Sequence, residues 1–464
     1  MEPSQPYDVA IIGAGPGGYV AGIRAAQLGL TACVIEKDKP GGVCLNWGCI
    51  PSKNLLYQAT LFDSGKELES IGVAVDVSTL DYSKVHKKSR QAAQRLVKGV
   101  EFLLKKNKVT LISGTARIAD RNKVLLDDRT EIAAKNILIA TGSRPLQAPG
   151  FECDETRVLS STGILSMTTL PKSLIILGAG AIGCEFAHMM TSFGVKVTLV
   201  EMADHILPFE DEETVSVLTR SFKKKGVDIL TSTRAVSLTR MNDAVEIAVE
   251  EKGGAPKLIQ AEKALCVFGR TPNTENIGLE AIGIRTDRGY IPTGDYCRTE
   301  VPGVYAIGDV VKTPLLAHVA SKEGEIAVEH MAGHGTTARI DINEVPSAIY
   351  CEPQIASFGL RESQAIEGTI PYKKVNFPYR GIGKAVAIGK PDGMVKLLYD
   401  PDTREILGAH IVGHDATEII HEILLAKTAK ILPARVAQMI HAHPTISELV
   451  MEGMRSVSGM AIHA

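Results

Sequence analysis

The chain has 464 residues, enough for about three domains with large buried cores. Its 51 basic and 53 acidic side chains nearly cancel, so bulk charge recruits no nucleic acid or other polyanion. No run of ~18 apolar residues is present to span a membrane. The opening Met-Glu-Pro-Ser-Gln-Pro lacks the basic start and apolar core of a secretion signal and the arginines of a transit peptide.

Residues 7–12 (Tyr-Asp-Val-Ala-Ile-Ile) read as a buried parallel strand. They run into Gly13-Ala-Gly15-Pro-Gly17-Gly18, an Ala-rich helix to about residue 28, and a second strand over residues 31–35 that ends on Glu36. Strand, glycine turn, helix and strand in that order make a dinucleotide-binding unit. Gly13 makes the tight turn, Gly15 lets backbone approach a pyrophosphate, and Gly18 lets the helix pack on the strand. The helix N-terminus faces the phosphates. Glu36, 23 residues after Gly13, is placed to bind ribose hydroxyls.

The stretch Gly41-Gly-Val-Cys44-Leu-Asn-Trp-Gly-Cys49-Ile-Pro-Ser-Lys53 follows. In a continuous helix, five residues would separate the two cysteine Cα atoms by ~7.5 Å along the axis, too far for a disulfide. A distorted turn over Asn46, Trp47 and Gly48 is therefore expected. Pro51 suits the first turn of a helix running through Ser52, Lys53, Asn54 and Leu55. Cys49 then sits at a helix N-terminus with Lys53 one turn on, and both favour a thiolate there. Such a strained, polar dithiol fits reversible redox chemistry; a structural disulfide and half of a metal site are the other readings. The remaining cysteines (Cys33, Cys153, Cys184, Cys266, Cys297 and Cys351) are scattered singly, supply no second ligand pair and read as small core residues. No metal site is expected, and nothing else suggests an oxidising compartment.

Residues 136–145 form a strand and glycine turn, a crossover to a second unit. There residues 173–177 are a strand, Gly178-Ala179-Gly180-Ala181-Ile182-Gly183 the turn, residues 184–193 a helix, and residues 195–200 a strand ending on Glu201, again 23 residues after the first glycine. Two units imply two dinucleotides. The dithiol adjoins the first, where a tightly held carrier is needed, so FAD is assigned to the first unit and the nicotinamide to the second. Glu201 favours NAD, since its carboxylate would repel a 2′-phosphate and no arginine follows it. Residues 264–273 repeat the strand and turn. Val304-Tyr-Ala-Ile-Gly308-Asp309 reads as a short strand with an acid positioned for a ribitol hydroxyl, or as a simple β-turn. Leu315-Leu316-Ala317-His318 begins a helix whose amides can face the flavin.

From about residue 343 the pattern changes. Residues 385–388, 394–398 and 406–412 suggest an antiparallel sheet, followed by helices near residues 417–431 and from 445 onward. This part carries no fingerprint and reads as a subunit interface. It ends in His441-Ala-His443-Pro-Thr-Ile-Ser-Glu448. His443 is suited to a general base oriented by Glu448, while Thr445-x-x-Glu448 also reads as a capping box. His441 reads as surface or structural.

In order along the whole chain, Cys-Leu-Asn-Trp-Gly-Cys-Ile-Pro-Ser-Lys, the two fingerprints, the Gly-Asp strand and His-Pro-Thr-x-Ser-Glu resemble the pyridine-nucleotide disulfide oxidoreductases, most closely those oxidising dihydrolipoamide. The resemblance implies an α/β fold with two Rossmann-like dinucleotide-binding domains and an α+β C-terminal dimerisation domain. The divisions expected are 1–147 (FAD, with the dithiol), 148–272 (NAD), 273–342 (returning to the FAD domain) and 343–464 (interface).

It also implies a homodimer with FAD and NAD in each subunit and active sites built across the interface. Cys44 then exchanges with lipoamide, and Cys49 contacts the flavin as the charge-transfer thiolate. Lys53 lies beside the flavin with Glu185 as its ionic partner, and His443, with Glu448, is the base from the other subunit. Gly13, Gly15, Gly17, Gly18, Glu36, Ala116, Thr141, Gly142, Ser143, Asp309, Leu315, Leu316, Ala317 and His318 match flavin-binding segments. Gly178 through Gly183, Cys184, Glu185, Glu201 and Gly269 match the NAD site. Trp47 and Asn54 depart from the small residues usual there. Partners would be the acyltransferase cores of 2-oxo acid dehydrogenase complexes or the lipoyl protein of glycine cleavage, and the unextended N-terminus favours a bacterial cytoplasm. The rival readings are another disulfide reductase of the glutathione-reductase type, against which Glu201 speaks, and a non-catalytic FAD-binding scaffold.

Overall fold

A computed structural model describes residues 5–335 and 337–463, with the backbone alone of Lys66; the start of the segment read for targeting signals lies outside the described residues. The first sheet is built on Tyr7–Ile12, a strand of β-branched and small residues whose Val9, Ala10 and Ile11 are wholly buried. Ala32–Glu36 pairs parallel on one side of it and Glu131–Ile139 on the other. The chain therefore reverses its winding at Tyr7–Ile12, and the crevice beyond the carboxyl end of that strand is where such sheets bind ligands. Val304–Ala306, after a long excursion, returns to pair parallel with Glu131–Ile139, so residues 304–306 are strand and Asp309 follows in the short 3-10 turn Gly308–Val310.

The excursion holds a second parallel sheet, in the order Asp228–Leu230, Lys196–Val200, Ser173–Leu177, Lys263–Cys266, Val158–Leu159. A three-stranded antiparallel sheet from Thr233–Arg240, Val245–Glu251 and Lys257–Ala261 flanks it, an element the sequence reading did not anticipate. The crossover turns are joined to each other: Ser143–Pro145 pairs antiparallel with Arg270–Pro272.

The C-terminal part is a five-stranded antiparallel sheet carrying Ala416–Thr428 and Glu448–Ser456 in its apolar cluster. Residues 385–388, expected as strand, instead lie in and just after the short helix Gly383–Ala387. A four-residue apolar run does not distinguish strand from buried helix by periodicity. Here Gly389, at φ +69°, ends the helix after one turn. Lys396, 1 % exposed, joins this sheet to the second unit through Asp211 at 2.9 Å and Glu213 at 2.7 Å. Glu362 at 2.7 Å is a third carboxylate on the same ammonium, and Lys374 shares Glu213 and Glu362 with it. Among the described residues no helix is long and apolar enough to cross a membrane.

Candidate active site

Each glycine turn is shaped by its third glycine. A Cβ on Gly18 would strike the carbonyl of Gly13, and one on Gly183 the carbonyl of Gly178, so only glycine lets these helices start so close to their turns. The closing acids act alike. Glu36 accepts from the amides of Ala14 (2.8 Å) and Asp38 (2.9 Å), and Glu201 from those of Ala179 (2.7 Å) and Ala203 (2.8 Å). Each carboxylate is thereby fixed at its turn with lone pairs left for a hydroxyl donor.

One cavity of about 1160 Å³ runs from the first turn, past the dithiol, to the second. Gly13, Gly15, Gly17, Glu36, Cys44, Cys49, Lys53, Thr141, Gly142, Ser143, Asp309, Leu315, Leu316 and Ala317 line its first part. Gly178, Gly180, Ala181, Ile182, Gly183, Glu185, Glu201 and Gly269 line the other. Gly18, Ala179 and Cys184 stand behind the turns instead: Cys184 is fully buried and its thiol donates to the carbonyl of Ala179 at 3.2 Å. Ala116 is buried in the strand Ala116–Asp120, and His318 is exposed on Ala317–Met331; neither lines the cavity.

The dithiol straddles two helices, Gly42–Trp47 and Cys49–Ser70. Only Gly48 (φ −152°, ψ −115°) breaks the path, a narrower interruption than the three-residue turn expected. Asn46 stays helical, and its buried amide donates to the carbonyls of Pro40 (3.1 Å) and Gly42 (3.0 Å). Cys49 is the first residue of a 22-residue helix, at the positive end of its dipole. A hydrogen bond from Cys44 and the charge of Lys53 outweigh burial and draw the Cys49 thiol down to about 7, while Cys44 holds the shared proton and is pushed up. Cys49 is the thiolate of the pair.

Lys53 Nζ lies 2.9 and 2.8 Å from the two oxygens of Glu185. Burial disfavours the ammonium, but Glu185 more than offsets it and the Lys53 pKa is raised. Two contacts here were not read from the sequence. Lys53 Nζ sits 4.5 Å from the centroid of the Tyr350 ring, and the Tyr350 amide donates to Glu185 at 3.2 Å. Arg270 is the other omission. It donates to the hydroxyl (2.6 Å) and carbonyl (2.9 Å) of Ser143, whose hydroxyl donates in turn to Asp309. A neighbouring Gly-Arg in a paired turn is the only signal that pointed to it. Trp47 lines the cavity with Arg90 stacked 4.7 Å from its ring centroid, and Asn54 accepts from Gln58 at 2.7 Å.

His443 lies outside this cavity, 74 % exposed, with Nδ1 3.0 Å from Glu448 Oε1. The other oxygen of Glu448 accepts from the amide of Thr445 at 3.0 Å, so one carboxylate both orients the imidazole and serves a helix-start contact. Burial would raise the Glu448 pKa, but the Thr445 amide and His443 bring it below the usual value. His441 is structural: its ring is buried and bonds Glu422 at 2.8 Å. The remaining cysteines are not all single. Cys153 and Cys266 pack in one apolar cluster with their thiols interacting, a pair that 112 intervening residues hide in the sequence. No cluster of His, Cys, Asp and Glu suited to a metal occurs among the described residues.

Residues 7–324 match the family described as pyridine nucleotide-disulphide oxidoreductase, and residues 345–454 its dimerisation domain. A dihydrolipoyl dehydrogenase of Bacillus subtilis is 42 % identical over 98 % of this chain and 99 % of its own. One of Geobacillus stearothermophilus is 40 % identical over 98 % and 97 %. Among solved structures, LpdA from Mycobacterium tuberculosis superposes with a TM-score of 0.90 at 29 % identity, covering 97 % of this chain and 99 % of that one. The HOCl-induced flavoprotein disulfide reductase RclA from Escherichia coli gives 0.87 at 25 % identity, covering 98 % and 100 %.

Proposed function

The chain belongs to the pyridine nucleotide-disulphide oxidoreductase family, and we propose that it is the dihydrolipoyl dehydrogenase of a lipoyl-bearing complex, oxidising protein-bound dihydrolipoamide with NAD⁺ as acceptor. The carrying observation is the Cys44–Cys49 pair, polarised into thiol and thiolate, lying in one cavity between two nucleotide turns.

FAD and NAD are its cofactors, and the cavity suits them. A Cβ placed on Gly15 or Gly180 would meet no protein atom within 4 Å, so both backbones lie open to a close-approaching pyrophosphate. In this reading the first turn, Glu36, Thr141, Ser143, Asp309 and the amides of Leu316 and Ala317 hold FAD, and the second turn, Glu201 and Gly269 hold NAD. Bound FAD supplies a two-electron relay between the dithiol and the nicotinamide.

The remaining steps belong to the chain. In the oxidised enzyme Cys44 and Cys49 are joined. A substrate thiol gives its proton to His443 of the partner subunit, and its sulfur attacks Cys44, releasing Cys49 as a thiolate. Lys53, held by Glu185 and Tyr350, stabilises that negative charge. The second substrate thiol then displaces Cys44, closing the lipoyl disulfide and leaving both enzyme sulfurs reduced. The partner's His443 is invoked because this subunit's own imidazole is exposed outside the cavity, and the dimerisation domain supplies a second copy. The acyltransferase core or glycine-cleavage lipoyl protein, and a cytoplasmic location, complete the proposal.

Steady-state reduction of NAD⁺ and of NADP⁺ by dihydrolipoamide tests it, with Cys44→Ser alongside. Fast NAD⁺ reduction, slow NADP⁺ reduction and loss of both in the variant are expected. An FAD-loaded wild type that turns over neither nucleotide would overturn the substrate assignment.

A further inference from the structure

Cys266 ends the strand Lys263–Cys266, pairing with Leu177 of the neighbouring strand, and is buried. Cys153 sits in the partly exposed segment that leads into Val158–Leu159 on the other edge of that strand. This segment is tied down on both sides of the thiol. The Cys153 amide donates to Gln147 Oε1 at 2.9 Å, and Asp154 Oδ1 accepts from the amides of Thr156 (2.7 Å), Arg157 (2.7 Å) and Val158 (3.0 Å). Arg240 holds the second oxygen of Asp154 at 2.8 Å. Cys266 and Cys153 pack in one apolar cluster, where the two thiols interact.

The same two segments carry an aromatic pair. Phe151 and Phe268, each two residues from one of these cysteines, meet edge to face with centroids 5.6 Å apart, and both line the cavity on the side of the second glycine turn. We propose that Cys153 and Cys266 are a second redox dithiol, closed to a disulfide by peroxide, and that closure pins the Phe151–Phe268 pair and weakens nucleotide binding in the second unit. The gating half rests on the assignment of that unit to NAD; the sulfur chemistry does not.

Cys153, the more accessible sulfur, is drawn below the ordinary thiol value by a hydrogen bond from Cys266, whose own thiol is pushed up. The Cys153 thiolate attacks one peroxide oxygen, the O–O bond breaks, and the departing hydroxide takes a proton to become water. Cys153 is then a sulfenic acid. The Cys266 sulfur attacks it, the S–O bond breaks, and the lost thiol proton leaves with the hydroxyl as a second water. Two thiols and one hydrogen peroxide yield one disulfide and two waters.

The test uses the FAD-loaded double variant Cys44→Ser/Cys49→Ser, which retains six of the eight cysteines. After hydrogen peroxide at a few equivalents and alkylation, denatured protein should show four free thiols. Peptide mapping should recover residues 153 and 266 cross-linked. In wild type isolated with Cys44 and Cys49 already joined, the same treatment should raise the Kd for NAD⁺, titrated by flavin fluorescence with no dithiol present, at least threefold, reversibly with a thiol reductant removed before titration, and Cys153→Ser should show no rise. Six free thiols, or Cys153 recovered as sulfinic acid beside unmodified Cys266, would overturn the dithiol. A mapped disulfide with an unchanged Kd for NAD⁺ would overturn the gate.

Discussion

Lys53 has its ammonium between the Glu185 carboxylate and the face of Tyr350, one turn past the Cys49 sulfur. Glu185 keeps the charge on the lysine, and the lysine helps keep it on the thiolate. Removing the ammonium in Lys53→Met should raise the pH midpoint for alkylation of Cys49 in the reduced protein by about one unit from its value of about 7. The sign follows from charge: thiolate forms as pH rises, and losing a nearby cation postpones that step to higher pH. Alkylation followed by peptide mapping across pH 5–10 checks it. The motif pointed to Lys53 and Glu185, but not to Tyr350, which is 297 residues further along the chain and arrives only with the C-terminal sheet.

At the scale of elements, the two glycine turns are near copies. Each third glycine sits where a methyl group would collide with the carbonyl of its first. Forcing one in costs about 1–3 kcal/mol or displaces the turn. If the turns hold different nucleotides, the two equivalent lesions separate. Gly18→Ala should be purified with little or no flavin absorbance. Gly183→Ala should keep its flavin but lose at least tenfold in kcat/KM for NAD⁺. Absorbance spectra and initial rates distinguish this from the reverse assignment, in which the flavin would depend on Gly183.

For the whole molecule, the imidazole of His443 and the sulfur of Cys44 must come from different subunits if the proposed base is correct. Homodimers of Cys44→Ser and of His443→Gln should both be severely impaired. A hybrid dimer of the two unites an intact Cys44 from one chain with an intact His443 from the other at one of its two sites. Purified hybrids, separated by differential tags, should therefore recover about half the wild-type rate, since the second site carries both lesions. Recovery no higher than the parent variants would place the base within its own subunit.

The chain itself determined the chemistry that local order carries. Gly13 to Glu36 and Gly178 to Glu201 are each contiguous, so their periodicity and turn residues suffice to specify strand, turn, helix and acid. Cys49 to Lys53 is a single helical turn. Residues 385–388 misled because so short an apolar run satisfies either period, and its backbone was decided by the glycine after it. Tertiary structure alone decided what distant segments share: Tyr350 against Lys53, Arg270 against Ser143 and Asp309, and Cys153 beside Cys266. Those contacts arise when segments far apart in the chain meet: Ser143–Pro145 and Arg270–Pro272 pair antiparallel, Val158–Leu159 and Lys263–Cys266 pair parallel, and Tyr350 follows the edge strand Ser347–Ile349. Sequence separation carries no trace of any of these registers.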